Sequence, residues 1–180
     1  MSSTPSTPTS YCDFVTLDRA HPVHRAYHDT EYGFPSDNES VLFERLTLEI
    51  FQAGLSWETI LKKREGFQKA FDGFEVDKVA AYGPAEIERL LGDPGIIRNR
   101  LKIEAAIHNA RVIQSMRETG GFAAWIKAQG SLDKPEWVKR FKKMFKFVGG
   151  EIVGEFLMSL GYLPGAHVPG CPIYEKLKLG

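Results

Sequence analysis

Apolar residues recur along this chain at helical spacing, and no convincing alternation of apolar and polar residues marks a strand. Leu42, Leu46, Ile50 and Ala53 share one face, and Ser40 or a neighbour can cap a helix running to about Ala53. Pro84 opens a short helix over 85–91 that Gly92 ends. After Asp93-Pro94-Gly95-Ile96-Ile97 a longer helix resumes, with Ile103, Ala106, Ile107 and Ala110 on one side. Val153, Phe156, Leu157 and Leu160 mark another, stopped by Gly161. With no internal repeat, the pattern predicts an all-α fold. Residues 1–10, rich in Ser, Thr and Pro, read as a disordered tail, 11–175 as one domain and 176–180 as a short C-terminal tail.

One polar position departs from the pattern. At roughly 100° per residue, Glu49 falls within or beside the apolar arc of its helix. It therefore lies either at the rim of a core or against a cavity. The residues that follow, Gln52-Ala53-Gly54-Leu55-Ser56-Trp57, place a glycine turn and a large flat ring directly after it. An acid, a turn and an aromatic in that order suit a pocket wall.

Composition narrows the class. Of 180 residues, 43% are hydrophobic, enough for a sizeable core and too many for a disordered chain. The 23 basic and 23 acidic residues balance, which by itself argues weakly against nucleic-acid binding. The distribution is uneven, however. Lys62-Lys63-Arg64, Arg98/Arg100/Lys102 and Lys139-Arg140/Lys142-Lys143/Lys146 form compact basic groups, which serve equally as solvated helix faces or as phosphate contacts. No apolar run approaches the ~20 residues of a membrane span, and no secretory signal opens the chain. A cytoplasmic location with reduced thiols is the expectation.

That compartment bears on the two cysteines. His167 and Cys171 are four apart near one end, while Cys12 and His28 are sixteen apart near the other. Two thiolates with two imidazoles make a closed tetrahedral set of the kind structural zinc prefers. The spacing is not that of a zinc finger, and His21, His24 and His108 are also available. A Cys12–Cys171 disulfide, disfavoured by the compartment, or two unrelated buried thiols are the alternatives.

Larger motifs bring a resemblance. Tyr27-His28-Asp29-Thr30-Glu31-Tyr32-Gly33, Leu48-Glu49, Gln52-Ala53-Gly54-Leu55-Ser56-Trp57 and Leu61-Lys62-Lys63-Arg64-Glu65 together resemble the 3-methyladenine DNA glycosylase I family. Gly95-Ile96-Ile97-Arg98-Asn99-Arg100, Lys102-Ile103, Phe145-Lys146-Phe147-Val148-Gly149 and His167-Val168-Pro169-Gly170-Cys171 continue the match in family order, from Cys12 to Cys171. The resemblance implies a helix-hairpin-helix DNA glycosylase fold with a structural zinc site joining the N- and C-terminal segments. It implies a monomer acting on alkylated duplex DNA without lyase chemistry, excising 3-methyladenine, with 3-methylguanine as a further candidate.

Carried over by position, the resemblance makes Cys12, His28, His167 and Cys171 ligands of one structural Zn2+. It makes Glu49 the catalytic or base-reading acid and Tyr27, Tyr32, Trp57 and Phe14 the base-binding aromatics. Gly54 and Leu55 are implied to enter the gap left by the flipped base. Gly95, Ile96, Arg98 and Arg100 are implied to meet phosphate. Tyr32 and Phe14 stand where the family often has tryptophan, and Met144 where it often has glycine. No aspartate lies between Asp93 and Asp133, so the aspartate the wider superfamily uses after its hairpin is missing, as in the methyladenine branch. A DNA-binding module with a dead pocket and a zinc hydrolase are the rival classes. Glu49 with Trp57 speaks against the first, and a fully occupied Cys2His2 set against the second.

Overall fold

The computed structural model describes residues 7–178, and the remainder of the expected tails, 1–6 and 179–180, lies outside them. The described residues form an all-helical protein with no strand. Its helices are α1 (Tyr11–Val15), α2 (Pro22–Thr30), α3 (Glu39–Gln52), α4 (Trp57–Ala70), α5 (Val76–Ala80), α6 (Pro84–Leu91), α7 (Arg100–Met116), α8 (Phe122–Ala128), α9 (Lys134–Met144), α10 (Gly150–Ser159) and α11 (Pro172–Lys178). The described residues pack as two compact units. One comprises the described residues up to Pro35 and from Met158 onward, the other Ser36–Leu157. α11 continues to Lys178.

In the terminal unit, short helices start at strong caps. Ser10 Oγ accepts from the Asp13 amide at 3.0 Å, and His21 Nδ1 accepts from the Val23 amide at 3.2 Å just before Pro22. Gly33 then turns the chain with φ +85°, and its amide donates to the Ser159 carbonyl at 2.8 Å. A Cβ at Gly33 would sit 3.0 Å from the His167 ring, so glycine meets two demands there, a left-handed backbone and close approach.

The middle unit is organised by α3. Asn38 caps it, its Oδ1 accepting from the Val41 amide at 3.0 Å. Every residue from Leu42 to Phe51 is buried, so the expected single apolar stripe is in fact a helix enclosed on all sides. It is packed by α4, α5, α7 and α8. Phe51, Phe67, Phe71 and Phe74 form one aromatic cluster beside it, and Phe122, Phe141, Phe145 and Phe156 another. Enclosure forces the polar residues of α3 to find partners. Glu44 takes a hydrogen bond from Arg64 Nε and a second from Gln68 at 3.1 Å.

The turn between α6 and α7 rests on α4 at Gly66. A Cβ there would lie 2.3 Å from the Gly95 carbonyl oxygen, closer than any real contact. Gly66→Ala is expected to push the turn off α4 and lower stability by about 1–3 kcal/mol, the usual cost of overpacking. Urea unfolding at constant m-value checks it, and an unchanged midpoint would mean that the turn moves at no cost.

Candidate functional site

Cys12 from α1, His28 from α2, and His167 and Cys171 from the segment leading into α11 meet in the terminal unit. All four are buried, with one ligand atom from each within 4.8 Å of the others. His28 Nε2 lies 3.1 Å from His167 Nδ1, Cys12 Sγ 3.6 Å from the same nitrogen, and Cys171 Sγ 3.7 Å from His28 Nε2. This group is able to hold a metal ion, and the hydrogen bonds behind it say more. His28 Nδ1 faces the Asp29 carboxylate at 2.7 Å, and His167 Nε2 faces the Tyr32 carbonyl at 2.6 Å. Both partners are acceptors, so both outer nitrogens carry the proton. The two inner nitrogens then present lone pairs to one another at 3.1 Å, which is repulsive unless a cation lies between them. Carboxylate and carbonyl partners on the far side of the ring are the usual support of metal-bound histidines. Burial also lowers the His167 pKa, which favours the neutral ring that a ligand requires.

The three other histidines named as possible ligands have different places. His21 caps α2, His24 pairs through Nδ1 with the Tyr11 hydroxyl at 2.9 Å, and His108 lies on α7 of the middle unit. Cys12 and Cys171 are free thiols. Asp29 and the Tyr32 carbonyl are functional groups that sequence reasoning passed over, although Asp29 adjoins a ligand and was legible as its partner.

The aromatic residues of the terminal unit cluster beside this group. Tyr27 and Tyr32 lie 5.6 Å apart at 33°, Tyr32 meets His167 edge-on at 5.7 Å, and Tyr11 stacks near Phe14 at 6.2 Å. Tyr27 and Tyr32 are buried and Phe14 is half-buried.

In the middle unit, Glu49 lies near the C-terminal end of α3 and is 5% exposed. No side chain or backbone group among the described residues donates to its carboxylate or pairs with it. Burial, with the like charge of Glu155 adding to it, raises its pKa well above the ordinary carboxylate range. A buried acid without a structural partner makes Glu49 a candidate site residue. Gly54 follows with φ +82° and open space where a Cβ would be, so conformation demands the glycine. Leu55 is 40% exposed at the tip of this turn. Trp57, half-buried, begins α4, which Ser56 caps by accepting from the Thr59 amide at 3.1 Å.

The basic groups of the sequence divide sharply. Arg64 serves Glu44, Lys62 pairs with Glu58, and Lys63 donates to the Pro94 carbonyl at 3.0 Å. Arg100 pairs with Glu88 at 2.5 Å. Lys102, counted with the arginines as surface charge, is buried instead. Arg98 is exposed and makes no ion pair among the described residues. Gly95 donates to Asp93 at 2.7 Å and Ile96 is buried, while Pro94 and Arg98 are exposed in that turn. Met144 closes α9 with ordinary helical geometry, and the left-handed residue comes later, at Phe147 with φ 61°. The substitution of methionine for glycine is thus harmless to the local backbone.

Comparison with known proteins gives this arrangement its class. Residues 17–144 match the model of the methyladenine glycosylase family, and the chain belongs to that family. It is 38% identical over 187 residues to DNA-3-methyladenine glycosylase 1 of Escherichia coli (strain K12), covering 93% of this chain and 98% of that one. It is similar to a crystal structure of 3-methyladenine DNA glycosylase I at TM-score 0.78 and 38% identity, over 84% of this chain and 94% of the other. A 3-methyladenine DNA glycosylase I from Staphylococcus aureus, solved for its recognition of 3-methyladenine, aligns at TM-score 0.76 and 33% identity, over 85% and 92% of the two chains.

Proposed function

We propose that this chain is a monofunctional DNA glycosylase that releases 3-methyladenine, and as a further candidate 3-methylguanine, from alkylated duplex DNA in base excision repair. The observation that carries this reading is Glu49, a buried carboxylate without a partner one turn before an exposed Gly54-Leu55 tip, in a chain of the methyladenine glycosylase family. Methylation at N3 gives adenine a delocalised positive charge and makes it a good leaving group. The protein must therefore select and position the base more than it must protonate it. A duplex hides the base, and extruding it costs a few kcal/mol. Leu55 fills the vacated gap in this reading. Glu49, once ionised, accepts from the exocyclic amine of the cation and prefers it to neutral adenine. The flat faces of Tyr27, Tyr32 and Trp57, with Phe14, are assigned to stacking and cation–π contact with the base. Whether water is oriented by the same carboxylate is part of what Glu49 variants report.

The metal is assigned as one structural Zn2+ held by Cys12, His28, His167 and Cys171. Zinc–sulfur bonds of about 2.3 Å and zinc–nitrogen bonds of about 2.0–2.1 Å give tetrahedral edges of about 3.3–3.8 Å, close to the separations found. With four protein ligands no position is left for substrate, so the ion supplies folding energy and no chemistry. The helix-hairpin-helix fold, the monomeric state and the cytoplasmic location belong to the same proposal. For the last, the structure contributes only that no described helix is long and apolar enough to cross a membrane. The experiment is release of free base from methylated duplex DNA. Absence of 3-methyladenine release by folded, metal-loaded protein would sink this reading.

The turn between α6 and α7 is assigned to phosphate through its backbone amides and Arg98. Arg98→Ala is expected to weaken binding to all duplex sequences alike and to flatten the salt dependence by about one ion. Arg100→Ala should do less, because Glu88 already neutralises that guanidinium. Titrations at several salt concentrations check this, and equal salt slopes for wild type and Arg98→Ala would remove Arg98 from the interface.

A further inference from the structure

The buried ammonium of Lys102 is used by nothing described so far. It donates to the Phe51 carbonyl at 2.9 Å and to the Ala53 carbonyl at 2.6 Å. These belong to the last turn of α3 and the residue after it, where carbonyls have no helical donor. The neighbouring carbonyls are satisfied locally. Ile50 accepts from the Ala53 amide at 3.3 Å, Gln52 from the Leu55 amide at 2.7 Å, and Leu55 from the Gln52 side chain at 3.2 Å. Phe51 and Ala53 are served from afar instead, by α7 across 51 and 49 residues of chain. A cation at a helix C-terminus also suits the local dipole. The Phe147 ring lies 5.9 Å from the same ammonium.

We propose that Lys102 is a positioning residue for base excision, clamping the end of α3 so that Glu49 and the Gly54-Leu55 tip are held ready before DNA binds. The inference rests on the function proposed above. Glu49 precedes Phe51 by two residues, and Gly54 follows Ala53 directly, so the clamp lies between the base-reading acid and the residue that replaces the base. Without it, the two carbonyls must find water in a buried place or the turn must open. A turn that opens gives the Gly54-Leu55 tip many conformations to lose at the moment of flipping, and that cost falls on the excision step. A buried lysine could instead serve as a nucleophile toward the sugar, as desolvated lysines do elsewhere. Burial lowers its pKa, but both carbonyl acceptors engage the ammonium and hold it to the end of α3, and that placement opposes the role.

The test uses the full metal-loaded chain with Lys102→Met and Lys102→Arg. Lys102→Met should lower single-turnover excision from methylated duplex about 10- to 100-fold at saturating enzyme. Affinity for undamaged duplex should stay within about threefold, and amide exchange over 52–56 should accelerate at least tenfold. Lys102→Arg, which keeps the donors, should recover part of the rate. Excision per folded Lys102→Met molecule within twofold of wild type would overturn the proposal and leave Lys102 a stability residue. A borohydride-trapped DNA adduct in wild type that disappears in the variant would overturn it in favour of a nucleophile. Should wild type release no 3-methyladenine, the proposed function fails. Exchange over 52–56 then still decides the clamp, faster exchange in Lys102→Met upholding it and equal exchange removing it.

Discussion

Glu49→Gln is expected to lower affinity for free 3-methyladenine, and excision efficiency with it, by roughly ten- to a hundred-and-fifty-fold. The substitution keeps size and shape but removes the charge and turns one acceptor into a donor. A charge-assisted hydrogen bond is worth about 1.5–3 kcal/mol, which sets that range. Stability should move the other way. Burial and Glu155 raise the Glu49 pKa in the folded state, so ionising it costs the fold. That cost is absent below the ordinary carboxylate range, grows as pH rises above it, and is complete above the folded pKa. The glutamine variant is therefore expected to melt above wild type at neutral to alkaline pH and to converge with it in acid. Excision by wild type should show an acidic limb displaced upward for the same reason, because the cationic base needs the ionised acid. Melting temperature and free-base affinity measured on one preparation decide the matter. A variant that is less stable yet excises normally per folded molecule would make Glu49 a structural residue.

Cys171→Ser should reduce metal content and melting temperature together while leaving excision per folded molecule nearly intact. The four ligands come from both ends of the chain, 155 residues apart at the extremes of the Cys12–His167 contact, so losing the ion loosens both. Structural zinc can supply about 10–16 kcal/mol in small peptides. The middle unit here has its own core, so a smaller share is at stake. A loss of only about 3 kcal/mol would lower the midpoint by about 6–12 °C in a chain of this size. Asp29→Asn is the gentler counterpart, weakening metal affinity by about 10- to 100-fold through the orientation of His28. Metal-free protein that melts where the loaded protein does would refute a structural ion.

Much of this was legible in local sequence because helices are local objects. Pro84 and Gly92 bound α6 as expected, and Gly161 with φ +80° ends the run after α10. The cap of α3 is Asn38 rather than Ser40, a small shift of the kind expected where several polar residues precede a helix. The strongly polar helices α4 and α9 left little apolar period to read, and α1 and α11 are too short to show one. Glu49 was visible as a carboxylate near an apolar arc. Its burial was not, since one helix cannot tell how many neighbours will enclose it.

The sequence by itself determined the all-helical class and the family, and it put forward the cysteines, histidines, acid and aromatics from which a site is built. These follow from periodicity, from punctuation by glycine and proline, and from motifs in a fixed order. Only the tertiary structure decided which basic residues remain available to a partner. Arg64, Arg100 and Lys102 look alike in the sequence as members of basic groups. One is tied to Glu44, one to Glu88, and one is turned inward to cap α3, while Arg98 is exposed without an ion pair among the described residues. It likewise selected His28 and His167 over His21, His24 and His108, and aimed their lone pairs at one point. The physical reason is the same in both cases. The partner that fixes a charge or a tautomer lies anywhere from one residue away, as with Asp29, to more than a hundred, as with Tyr32 and His167. Spacing along the chain carries no information about contacts of the second kind, and folding alone brings them together.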